Sequence, residues 1–158
     1  MRPFIGKILL HRITISFLNI SLLILAYSAL KATWINGTNS VREVHEAVEL
    51  WEGFGTILLG FGVALEERDS LKKIATFDET TPEQVDHVCH DYGVLFVMLG
   101  VIIEAFAWLV KLPNAVLDTE GVEFVLLQCG ALTAVIGVYL QIKFQYHLWK
   151  PAPTQPKV

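Results

Sequence analysis

The hydrophobic positions of the chain fall into four long blocks separated by polar segments. Ile13 to Ile35 gives 23 residues whose one full charge, Lys31, lies near the end. A hydrocarbon core of ~30 Å needs ~20 helical residues, so this block predicts a first membrane span. Ala26 and Ser28 resemble a leader-peptide cleavage site. The block is longer than the ~7–15 residues of a leader's apolar core, which favours a retained span. A polar loop, Asn36 to Arg42, follows and includes the weak sequon Asn36-Gly37-Thr38.

The second block lies inside Val41 to Lys73, and the other spans supply its neighbours. Its strictly apolar part, Phe54 to Leu65, covers only ~18 Å at ~1.5 Å per residue. To cross, the helix must reach back to about Glu46, which draws Glu49 and Glu52 towards the bilayer. Glu66 to Lys73 reads as a charged helix end.

Residues 74–91 form the one sizeable loop. Within it Thr81 reads as an N-cap and Pro82 as a first-turn residue. The helix they start is expected to run into the third span, Tyr92 to Leu112. Pro113-Asn114 stops that span, and a short loop leads to the fourth, Val122 to Phe144. The expected fold is an all-α, four-transmembrane-helix bundle with a short amphipathic cytoplasmic helix before the third span. The spans are placed at about 13–35, 46–66, 92–112 and 122–144, in one membrane domain over 1–150. The Pro-rich end, 151–158, is expected to be disordered.

Composition agrees with this outline. The chain has 158 residues, of which 53% are hydrophobic. Its mean hydropathy is +0.50, too apolar for an ordinary soluble domain. Net charge is −4 with no long basic run, which speaks against a nucleic-acid partner. Trp34, Trp51, Trp108, Trp149, Tyr92 and Tyr146 fall near the predicted interfaces, as an aromatic belt does. Positive residues set the orientation. With the N-terminus inside, Arg2, Lys7, Arg12, Arg68, Lys72, Lys73, Lys143, Lys150 and Lys157 are cytoplasmic. The outer side then holds Lys31, Arg42 and Lys111, so both termini are expected in the cytoplasm of a plasma (inner) membrane. Cys89 and Cys129 fall in different segments and suggest no disulfide.

Glycines recur seven residues apart: Gly53/Gly60 and Gly55/Gly62 in span two, Gly93/Gly100 in span three, and Gly130/Gly137 around Ala134 in span four. Two turns separate each pair, so each marks a face where membrane helices can approach closely. Span one lacks such a pair and is expected to sit more loosely. His45, Glu49, Glu52 and Thr56 share one side of span two, within ~60° on a helical wheel, bracketed by its glycine pairs. Glu104 lies on the Gly93/Gly100 face of span three. Glu52 is ~9 Å and Glu104 ~12 Å below the outer end of its helix, so the two could face each other.

Ionisable residues within spans are costly and are functional candidates by default. Two carboxylates in one apolar site do not readily ionise together, so the pair can hold a proton, or a cation if polar oxygens complete the shell. Glu52, Glu104 and Glu49 form the candidate acidic site, with His45 and Thr56 as its outer approach. Lys111 and Arg42 are possible counter-charges, and Gln128 has similar depth. His11, His87, His90 and His147 are weaker candidates for a metal or haem, since they flank the spans. No nucleophile elbow, phosphate loop, zinc-protease motif or paired-cysteine motif is present, and the sequence requires no cofactor.

Three functions follow. The first is a small non-enzymatic membrane protein that binds or conducts protons or cations, as a homo-oligomer or with other membrane subunits. The second is a non-catalytic subunit of a larger membrane complex, with the glycine faces as docking surfaces. The third is a redox anchor holding haem or quinone near the histidines.

Overall fold

A computed structural model describes residues 11–34, 41–74, 83–111 and 122–150. Among the described residues five helices follow in order: α1 (Arg12–Trp34), α2 (Val41–Glu66), α3 (Arg68–Ile74), α4 (Glu83–Lys111) and α5 (Glu123–Trp149). Four stretches among the described residues are long and apolar enough to cross a membrane: Arg12–Trp34, Glu46–Glu66, Val85–Lys111 and Val125–Trp149. The protein is therefore a small multi-pass membrane protein. The second stretch begins at Glu46, where bilayer thickness requires it to begin.

Two boundaries differ from expectation. The charged end of span two is not one continuous helix. It breaks at Glu67, and α3 starts at Arg68. The Glu67 amide still donates to the Val63 carbonyl, and the Leu71 amide to the Glu67 carbonyl, each at 2.9 Å. The turn brings Arg68 and Lys72 against α4. α5 also runs on to Trp149, one and a half turns past the expected end. The cap at Thr81-Pro82, the stop at Pro113-Asn114, the sequon and the tail lie outside the described residues.

The four long helices form an antiparallel ring in the order α1, α2, α4, α5, with α1 and α5 closing it. Trp51, Phe54, Leu58, Phe96, Ile103 and Phe144 fill the core. Towards the end that carries α3, the Phe96 and Phe144 rings meet edge to face at 5.7 Å, and Phe61 stacks on Phe96 at 6.0 Å. Phe17, Ile24, Met98, Leu132 and Ile136 point outward. In water such a surface would drive aggregation, whereas in a bilayer it is the lipid face.

The closest contact is between α2 and α4. A Cβ at Gly62 would stand 2.7 Å from the Gly93 carbonyl oxygen, and one at Gly93 2.6 Å from the Glu66 amide nitrogen. A Cβ at Gly100 would stand 2.8 Å from the Leu59 nitrogen. Backbone therefore meets backbone, which leaves no room for side chains. Gly130 has Phe106 close by, Gly137 has ordinary contacts with Leu58 and Leu99, and Ala134 is fully buried. Gly53 and Gly60 have nothing within 4 Å of their Cβ positions.

α1 is held differently, by side-chain hydrogen bonds. Trp51 Nε1 donates to Thr33 Oγ1 at 2.9 Å, and Trp34 Nε1 donates to Gln128 Oε1 at 2.8 Å. Deeper in, Asn19 bonds to α5. Polar bridges here do what close glycine packing does between α2 and α4.

Candidate intramembrane acidic site

The acidic residues line the seam between α2 and α4. Because the helices are antiparallel, positions rising along α2 meet positions falling along α4. Glu52 meets Lys111, and one turn further Thr56 meets Glu104. Both contacts lie inside the candidate spans. Glu104 is seven residues from Lys111, ~10 Å along the helix.

Each carboxylate has its own partner. Lys111 Nζ donates to Glu52 Oε2 in an ion pair. Thr56 Oγ1 donates to Glu104 Oε1. Glu52 and Glu104 thus share a seam without bonding to each other. Gly55 makes the second contact possible, since its Cβ position lies 3.2 Å from Glu104 Cγ. With a larger residue there, the stem of Glu104 could not lie against α2.

The seam is at the bundle surface. The Lys111 and Glu52 side chains are 29% and 39% exposed, and Thr56 is exposed as well. Glu104 is partly covered, and Glu49 is exposed. The side chains of Arg42 and His45 lie outside the described residues. Among the described residues no basic side chain pairs with Glu104.

The remaining candidates are scattered. His147 Nδ1 is 2.8 Å from the Tyr92 hydroxyl, and His90 Nδ1 is 4.0 Å from Glu66. His11 Nδ1 accepts from the Ile13 amide, and His87 is exposed on α4. The described residues hold no group of three or more His, Cys, Asp or Glu placed to take a metal. Cys89 is buried and Cys129 partly so, and both are free thiols. Gln128 is taken up by Trp34.

Charge alone did not point to two polar clusters. One is the grip of Arg68 and Lys72 on Asp86. The other joins Ser16 and Asn19 of α1 to Gln141 and Gln145 of α5. The second had a signal in the sequence, the presence of amides, Asn19 above all, inside apolar blocks; the first joins charged residues whose pairing the spacing does not reveal. Comparison of the chain with known protein families, characterised proteins and solved structures gives no match.

Proposed function

We propose that this protein binds a proton or a cation at Glu104 within the bilayer and passes it across the membrane. One observation carries the reading. Lys111 neutralises Glu52, while Glu104 has a threonine hydroxyl and no basic partner among the described residues. A carboxyl group in an apolar setting is tolerated when it takes up a proton or a cation. Thr56 occupies Oε1, which leaves Oε2 for either. The polar seam, running from Lys111 and Glu52 to Thr56 and Glu104, is the approach. The balance of positive residues favours both termini in the cytoplasm, and on that orientation the approach opens outward.

Reconstitution in liposomes tests this. Glu104→Gln keeps an acceptor for Thr56 but cannot titrate. Proton or cation flux should fall at least ~10-fold, since removing an intramembrane carboxylate removes the charge carrier. Wild-type flux equal to that of empty vesicles, or of Glu104→Gln, would rule the reading out.

A second reading, a non-catalytic subunit of a membrane complex, is favoured by the uncovered Gly53/Gly60 face. It borders a groove of about 540 Å³ between α1 and α2, lined by Leu22, Leu25, Ile57, Gly60 and Phe61 among others. Small residues at such a face suit a further helix. On this reading, other membrane proteins co-purify in mild detergent, and Gly60→Leu releases them without unfolding the bundle. A monodisperse particle of this chain alone, unchanged by Gly60→Leu, would count against it.

A further inference from the structure

Asn19 is fully buried on α1. Its Nδ2 donates to the Gln141 carbonyl oxygen and to Gln145 Oε1, each at 3.1 Å. Both partners are acceptors, so the orientation of this amide is fixed. The nitrogen faces α5 and Oδ1 points away. That oxygen has no hydrogen-bond partner among the described residues.

Gln141 is fully buried too, and among the described residues neither its Oε1 nor its Nε2 has a partner. On α5, Phe144 and Gly137 face α2 and α4, whereas Gln145 faces α1. At ~100° per residue, Gln141 lies between these directions and so points towards the bundle axis. Because the Asn19 side chain ends on the Gln141 backbone carbonyl, its amide lies beside the root of the Gln141 side chain. One NH2 group and two carbonyl oxygens are therefore gathered at one level of the interior.

Buried amides in native proteins are satisfied by protein groups or by ordered water. The chemistry of the three groups selects the ligand. A metal cation would suit the two oxygens but would face the NH2 group. An anion would suit the NH2 group but would face two oxygens. A neutral molecule that both donates and accepts suits all three. We infer that ordered water is bound inside the bundle, bridging Asn19 Oδ1 and the side-chain amide of Gln141.

A polar ladder leads to this site from the α3 end. Trp149 Nε1 donates to Ser16 Oγ at 3.3 Å, Gln145 Nε2 donates to the same oxygen, and Gln145 accepts from Asn19. Water entering there would meet a hydrogen-bonding group at each turn. The site is separate from the acidic seam and does not depend on ion transport.

Water-selective nuclear Overhauser spectroscopy of ¹⁵N-labelled protein in nanodiscs tests the inference. The Gln141 Nε2 protons should show cross-peaks to a long-lived water, and Gln141→Leu should remove them. The thermal midpoint of Gln141→Leu should not fall, because leucine needs no partner. If that variant does not fold, Asn19→Leu should weaken the Gln141 cross-peaks instead. Resolved Gln141 amide protons without water cross-peaks in the wild type would overturn the inference. So would a through-bond coupling showing that Gln141 donates directly to Asn19.

Discussion

Asp86→Ala should destabilise the protein by about 3 kcal/mol, the usual range for breaking a buried ion pair being ~3–5 kcal/mol. Lys72 Nζ lies 2.6 and 2.8 Å from the two Asp86 oxygens, and Arg68 donates to the same carboxylate. Arg68 is 1% and Lys72 8% exposed, so both cations have left most of their water behind. Removing the carboxylate takes the counter-charge from the desolvated Lys72 ammonium, and one partner from Arg68, at the point where α3 turns from α2 onto α4. Asp86 itself keeps 26% of its side-chain surface, and solvent there offsets part of the loss. The lower end of the range is therefore expected. Adding Lys72→Met to Asp86→Ala should recover part of the loss, because it removes the stranded charge. Reversible unfolding in mixed micelles measures both variants. A loss under ~1 kcal/mol for Asp86→Ala would mean that the cluster behaves as an exposed surface pair.

Gly93→Ala should destabilise the bundle by about 2–3 kcal/mol, at the upper end of the ~1–3 kcal/mol typical of overpacking. The added Cβ would stand 2.6 Å from the Glu66 nitrogen, 2.8 Å from the Gly62 carbonyl oxygen and 3.0 Å from Glu66 Cα. All three are backbone atoms, so no rotamer change relieves the clash. The helices must separate, and the contacts at Gly55 and Gly100 must open with them. Gly53→Ala and Gly60→Ala have the same spacing in the sequence and should behave oppositely. Their Cβ positions meet nothing within 4 Å. Each should be neutral or stabilising by up to ~1 kcal/mol, from the helix preference of alanine over glycine. Equal stability of Gly93→Ala and wild type would refute the close backbone approach.

The four spans were legible because bilayer thickness sets the length of an apolar block. The same constraint extends the second span back to about Glu46, and the candidate stretch of α2, Glu46–Glu66, includes Glu49 and Glu52. Depth along a helix can be counted in residues. What each carboxylate touches cannot. Glu52 meets an ammonium 59 residues away and Glu104 a hydroxyl 48 residues away. The glycine spacing marked two possible close faces on α2, and only the tertiary arrangement decides which of them meets α4. The break before α3 was hidden for a related reason. It is stabilised by Asp86, which lies 18 residues from Arg68 and 14 from Lys72. Asn19, Gln141 and Gln145 were visible as residues but carry no charge. Their importance arises from burial against one another.

The bonds from Asn19 to α5 also set an order of assembly. They join residues 122 and 126 apart, between the first and the last of the four long helices. During synthesis α1 enters the bilayer long before α5 exists, and the Asn19 amide then has no α5 acceptor. α2 and α4 are near neighbours in the chain, with matched glycine faces, and can lock together in the meantime. The ring is completed when α5 arrives and takes up the waiting amide. A chain cut short before α5 would leave Asn19 facing lipid, a polar mark by which an unfinished copy differs from a finished one.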